Sequence, residues 1–202
     1  MKKNGLRILR QIKSVSFATV RDGKPENRII DVMMVEDDKL YFLTARGKAF
    51  HKQLQDGLSV AISGMTPDYL AVRVKGKITA VERSWLDRIF EKNPMMNDLY
   101  PGEKRDILDP FCLYSGVGET FDLGSHPPQR ERFAFGDHQV SLPGYRINDA
   151  CTACGICLEA CPIKAVLLDD DGNYLIEASR CIECGRCFEH CPSNAIDKPG
   201  VF

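Results

Sequence analysis

The chain has 202 residues, 44% of them hydrophobic and 27% charged, with a net charge of −1, enough to bury a substantial core in one domain or two. No apolar run approaches the roughly eighteen residues needed to cross a bilayer, and the opening MKKNGLRILRQIK has neither an apolar signal segment nor a small-residue cleavage site. No basic stripe with interleaved aromatics is present either, so membrane and nucleic-acid partners are not expected and a cytoplasmic protein is.

From the N-terminus, GLRILRQIK predicts a short amphipathic helix. Strand-like stretches follow in SVSFATV, NRIIDVMMVE, KLYFLTA, LSVAISG and DYLAVRVKGKITAVE, with RDGKPEN and EDDK as turns that suit antiparallel neighbours. Two helices, KAFHKQLQ and RSWLDRIFEKN, interrupt the series, and PFCLYSGVGETFDLG reads as two more short strands. This pattern predicts a small antiparallel barrel with helices at its flank. Met33, Met34, Trp85 and Phe90 are assigned to packing, and Cys112 to a buried thiol without a chemical role. Arg28 taken alone is a solvated strand-end charge, and His51 a surface histidine. Arg73, on the same strand face as Ala71 and Lys75, faces either a cofactor or water.

Residues 6–124, through FATVRDGKPENRIIDVMMVEDDKLYFLTARGKAFHKQL and YLAVRVKGK, resemble the FMN-binding split barrel of the pyridoxamine 5′-phosphate oxidase family. The resemblance implies that Arg28 lies near the FMN phosphate, with the backbone of Ile29 and Ile30 beside the ring. Thr44 falls where the family carries a hydroxyl. TARGKAF then supplies a turn into a helix whose N-terminus and basic side chains can hold phosphate, with Lys48 as the ligand and Arg46 and Lys52 as alternatives. Similar barrels take a deazaflavin or haem; haem would need His51, His126 or His138 as its axial ligand. The family's C-terminal segment that closes over its substrate has no evident counterpart, which argues against oxidation of pyridoxine phosphate itself.

GSHPPQRERFAFGDHQVSLPGY, polar and with three prolines, reads as a linker. The expected organisation is a barrel at 1–124, a linker at 125–145 and a cysteine-rich domain at 146–202. From Arg146 onward five Lys/Arg against nine Asp/Glu give −4, while 22 against 19 before it give +3, an acidic module on a mildly basic body.

CTACGICLEACP, from Cys151 to Pro162, returns thirty residues later as CIECGRCFEHCP, from Cys181 to Pro192, both spaced C-x-x-C-x-x-C-x-x-x-C-P. This is an internal duplication. In a reducing compartment such spacing serves metal rather than disulfides, and structural zinc sites do not ordinarily add a third cysteine and a Cys-Pro to each pair. Gly155 and Gly185 remove a Cβ where the backbone approaches inorganic sulfide, and KAVLLDDDGNYLIEA predicts a hairpin between the runs. The half resembles a two-cluster bacterial ferredoxin over about fifty-five residues. That resemblance implies two 4Fe-4S clusters with crossed ligands, Cys151, Cys154, Cys157 with Cys191, and Cys181, Cys184, Cys187 with Cys161.

Joined in one chain, the halves predict an FMN-dependent oxidoreductase that exchanges electrons between a small substrate or reduced carrier and two 4Fe-4S clusters. A one-electron partner protein and a homodimer are expected with it. The competing reading is a ferredoxin-type carrier whose barrel is only a dimerisation and docking platform. No paired carboxylates or nucleophile-base set stands out, so catalytic residues are left unassigned.

Overall fold

A computed structural model describes residues 5–54, 57–139 and 144–198. The chain divides into two units, Met1–Pro67 with Ala71–Thr120 and Arg132–Val140, and Asp68–Leu70 with Phe121–Glu131 and Ser141–Phe202.

The first unit opens with α1 (Gly5–Ile12) and the strands β1 (Ser14–Arg21), β2 (Lys24–Asp31), β3 (Met34–Glu36) and β4 (Lys39–Ala45). Then come α2 (Ala49–Gln53), β5 (Ser59–Met65), β6 (Leu70–Ala80), α3 (Ser84–Lys92), α4 (Met96–Leu99), β7 (Leu108–Asp122) and β8 (Gln129–Phe135), of which Leu70, Phe121–Asp122 and Gln129–Glu131 are counted with the second unit. The sheet runs β2-β1-β5-β6-β7-β4-β3, with β8 on β7. Its two end strands, β2 and β3, are consecutive in sequence, so the sheet must curl back on itself. At the crossing the chain changes partner: Val32 N–H bonds to Lys13 O at 2.8 Å and Met33 N–H to Tyr41 O at 2.8 Å. The predicted strand NRIIDVMMVE is therefore two strands, and the barrel is split between them.

Two hairpins close on two residues each, Asp22–Gly23 and Asp37–Asp38, all four with positive φ as the twist of tight hairpins demands. The turn expected over RDGKPEN is thus shorter, because β2 resumes at Lys24. Pro25 is tolerated there since β2 ends the sheet order. Phe17, Leu40, Phe42, Ile62, Val74 and Leu113 fill the barrel, with Phe17 and Phe42 rings 5.1 Å apart. Outside it, α3 covers Met33, Met34, Tyr41 and Cys112; Trp85 stacks on Tyr41 at 4.5 Å, and the packing roles expected for these residues hold.

PFCLYSGVGETFDLG is not two short strands: all of it but its last two residues, Leu123 and Gly124, lies within the single 15-residue β7. Its glycines mark close approach rather than breaks: a Cβ on Gly116 would collide with Lys75 O and Gly76 Cα, one on Gly76 with Ser115 O, and one on Gly118 with the Phe133 ring. The stretch expected as a linker contains β8, whose charged residues are compensated. Glu119, 3% exposed, lies between Arg73 Nε at 2.6 Å and Arg132 Nε at 3.5 Å. Residues 140–143 of that stretch lie outside the described residues, as does Gln55 of the second predicted helix.

The second unit carries β9 (Arg146–Ile147), α5 (Ile156–Ala160), β10 (Val166–Leu168), β11 (Tyr174–Ile176), α6 (Arg186–Glu189) and β12 (Ile196–Asp197). β10 and β11 form the predicted hairpin, and β12 pairs with β9. Among the described residues no helix is long and apolar enough to cross a membrane.

Gly116→Ala places a methyl against the Lys75–Gly76 backbone of β6, which cannot swing away as a side chain could. The variant is expected to lose about 1–3 kcal/mol of stability. Urea unfolding followed by the fluorescence of Trp85, the only tryptophan, reads the loss in the barrel unit; an unchanged midpoint contradicts the close β6–β7 approach.

Candidate functional site

The cysteine unit is built twice from the same backbone. Gly155 and Gly185 both adopt left-handed φ, 75° and 80°, and each starts a one-turn helix, α5 or α6. The non-glycine residues Ala153 and Glu183 (φ 54° and 57°) and Lys164 and Asn194 (55° and 52°) repeat that conformation thirty residues apart. The glycines are required by φ, and also by a tyrosine over each: a Cβ would stand 3.1 Å from the Tyr174 hydroxyl at Gly155 and 2.9 Å from that of Tyr145 at Gly185.

Each helix carries the third cysteine of its run and sends the fourth away. Cys151, Cys154, Cys157 and Cys191 line one cavity, roofed by Tyr174 and Ile196. Cys161, Cys181, Cys184 and Cys187 line a second, with Tyr145 and Val166. The structure therefore groups the eight cysteines as the crossed sets. Backbone N–H groups aim at the sulfurs in matched pairs, Ala165 N to Cys161 Sγ at 3.2 Å and Ala195 N to Cys191 Sγ at 3.3 Å. Such bonds favour thiolate.

The thiols oppose one another electrically. Burial, then the neighbouring Cys181, Cys184 and Cys161, push Cys187 up to about 11 against a backbone bond from Phe188. Burial raises Cys157 and Cys181 as well. Cys191 is lowered, first by its contact with the Ser193 hydroxyl. Four soft sulfurs converging on each cavity fit an iron–sulfur cluster.

In the barrel unit the residues expected to serve FMN gather around α2 and the turn before it. Arg28 donates to Thr19 Oγ1 at 2.8 Å and Gln53 Oε1 at 3.2 Å, meets Glu26 at 3.3 Å, and lies 4.4 Å over the Phe50 ring. Glu26 also takes Arg21 at 2.7 Å, so two guanidiniums share one carboxylate. Arg28 is thus a partly buried, networked cation and not a solvated strand-end charge. Ile29 beside it is 68% exposed. β2 ends the sheet order, so half of its backbone polar groups, through Ile29 and Ile30, face away from β1.

Thr44 is buried on β4, and its hydroxyl finds no hydrogen-bond partner among the described residues. Lys48, exposed, occupies the N-cap position of α2 without a side-chain capping bond. α2 has only five residues, so a phosphate here would depend on side-chain charge rather than on a helix terminus.

A polar group beside α2 was not visible in the sequence. Asp109, paired with Thr44 across β4 and β7, accepts Arg46 at 3.0 Å, Arg83 at 3.1 Å and His51 Nε2 at 2.8 Å. Burial works against its ionisation, but the bonds from His51 and Arg46 prevail and hold its carboxyl below the usual range. His51 also packs edge-on to Phe111 at 5.5 Å, so it is an oriented residue and not a surface histidine. Arg73 is engaged with Glu119. The only forward signal for the Asp109 group was Arg46 in the TARGKAF turn; Asp109 is 58 positions beyond His51.

A family model described as pyridoxamine 5′-phosphate oxidase matches residues 1–111, and one described as a 4Fe-4S dicluster domain matches residues 150–196. Among solved structures, a NimC/NimA family protein from Clostridium acetobutylicum is similar at 22% identity, over 64% of this chain and 89% of that one, with a TM-score of 0.57. A protein of that organism related to general stress protein 26 of B. subtilis is similar at 12% identity, over 63% and 89%, with a TM-score of 0.51. PhzG from Burkholderia lata, solved with tetrahydrophenazine-1-carboxylic acid, gives 15% identity, 66% and 82%, and a TM-score of 0.51. At these identities the likeness establishes the fold, an antiparallel split barrel. No curated protein matches the chain.

The grouping of thiols predicts crossed damage. Cys161→Ser, although it changes the first run, is expected to disturb the cluster of Cys181, Cys184 and Cys187, and Cys191→Ser the other. Paramagnetic resonance of each reduced variant reads which signal is lost, and a loss confined to the mutated run's own three cysteines contradicts the grouping.

Proposed function

We infer that this chain, which belongs to the pyridoxamine 5′-phosphate oxidase family and carries a 4Fe-4S dicluster domain, is an FMN-dependent oxidoreductase wired to a one-electron partner protein. FMN supplies two-electron exchange with a small substrate, and 4Fe-4S clusters supply transfer one electron at a time. The observation that carries the reading is the presence in one polypeptide of a split barrel and two cavities, each lined by four cysteines from both runs.

The barrel's own residues would divide the work of holding FMN. The backbone of Ile29 and Ile30 on the edge strand can face the ring, and the unpartnered Thr44 hydroxyl offers a buried hydrogen bond. Arg28, backed by Thr19, Gln53 and Glu26, is held in a fixed orientation; Arg46 and Lys48 stand on the turn before α2. Removing the partly exposed Arg28 charge costs binding rather than folding, because Glu26 keeps Arg21. The exposed Ile29 would be covered by a second copy in a homodimer.

Protein purified without oxygen is expected to contain about eight iron, eight sulfide and one FMN per chain. Arg28→Ala should keep the iron and weaken FMN by about 1.5–3 kcal/mol, roughly ten- to a hundredfold. Metal analysis and flavin fluorescence titration measure both. Full iron with no affinity for FMN contradicts the enzyme reading and favours an electron carrier with a docking barrel.

A further inference from the structure

We propose that the Arg130–Glu183 ion pair sets the reduction potential of the cluster held by Cys161, Cys181, Cys184 and Cys187, and not that of its twin. The proposal rests on reading the two cysteine cavities as cluster sites.

Arg130 comes from β8, outside the duplicated sequence, and is clustered with the cysteine unit. Its side chain is 8% exposed. Its backbone N–H bonds to Ser179 O at 2.7 Å, its Nη1 meets Glu183 Oε2 at 2.7 Å, and its guanidinium lies 5.0 Å over the Phe121 ring. Ser179 and Glu183 bracket Cys181. Glu183 in turn donates its own N–H to Cys181 Sγ at 3.4 Å and directly precedes Cys184. The ion pair is thereby fastened to the loop that carries two of the four sulfurs.

The duplication is broken here. The position equivalent to Glu183 is Ala153, with the same left-handed backbone (φ 54° against 57°) but no charge. The backbone conformation does not need a carboxylate, and the first run does without one. A carboxylate beside an anionic cluster opposes an added electron, and a buried guanidinium on that carboxylate offsets the opposition, in surroundings where water screens little. Arg130 is a charge-compensating residue: its guanidinium pairs with Glu183, and its charge also favours the anionic Cys181 sulfur.

The test uses the full chain, reduced stepwise with dithionite as the electron donor. Each cluster takes up one electron, with no bond made or broken. Paramagnetic resonance follows both signals, assigned by their loss in Cys161→Ser and Cys191→Ser. Arg130→Gln is expected to lower the reduced-to-oxidised ratio of the Cys181-side cluster about tenfold at fixed potential, about 59 mV for a one-electron couple, and to leave the other cluster unmoved. Arg130→Lys should restore most of the shift, and Glu183→Gln should move the same cluster the opposite way. Unchanged midpoints in both variants, or equal shifts in both clusters, overturn the proposal. If Arg130→Gln fails to keep its iron, Glu183→Gln decides alone: a raised midpoint of one cluster supports the ion pair's role and an unchanged one overturns it. Absence of clusters from the unmodified protein would instead refute the reading on which the proposal rests.

Discussion

Each cysteine run lends its last thiol to the cavity built by the other, and the second unit is organised around that exchange. Three sulfurs two residues apart can wrap one side of a cluster, but the fourth must come from elsewhere. A one-turn helix started by a left-handed glycine carries Cys161 and Cys191 across. Neither run can complete a site alone, so each site needs both runs. The small sheets β10–β11 and β9–β12 and the buried Val166 and Ile196 are the packing that this reciprocity leaves room for.

The barrel answers a different constraint. Because β2 and β3 lie at opposite ends of the sheet order yet adjoin in sequence, the sheet has to close, and Gly76 and Gly116 let β6 and β7 approach each other closely. Closure leaves an edge at β2 and a short helix, α2, beside it. Charge gathers there in surplus: Arg21 and Arg28 share Glu26, and Arg46 and Arg83 share Asp109. A family fold with an open edge, a buried unpartnered hydroxyl and excess guanidinium is suited to a flat, phosphorylated cofactor, and in the proposed function the dicluster domain of the same chain would give that cofactor a one-electron outlet.

What could be read from the sequence follows the range of the interactions involved. Cysteine spacing, the Asp-Gly hairpin turn and the strand series are local, and their signals survive in a single sequence. β7 reads as two strands in the sequence, since nothing local shows that Gly116 and Gly118 serve the close approach of Gly76 and the Phe133 ring. β8 reads as linker in the sequence because its stretch is polar and holds three prolines, while the carboxylates that meet Arg130 and Arg132, Glu183 and Glu119, lie elsewhere in the chain. His51 looked like a surface residue for the same reason, with Asp109 as its distant partner. The polar groups whose meaning depends on a remote countercharge are the ones that local pattern does not disclose.

The central claim is that electrons pass between FMN and the clusters within this chain, and rapid-mixing spectroscopy tests it directly. Holoprotein and protein stripped of iron but still loaded with FMN are mixed without oxygen with the same one-electron donor, and flavin absorbance is followed. Flavin reduction at least tenfold faster in the holoprotein is the expected result. Equal rates across a range of salt concentrations would show that the clusters do not lie on the path.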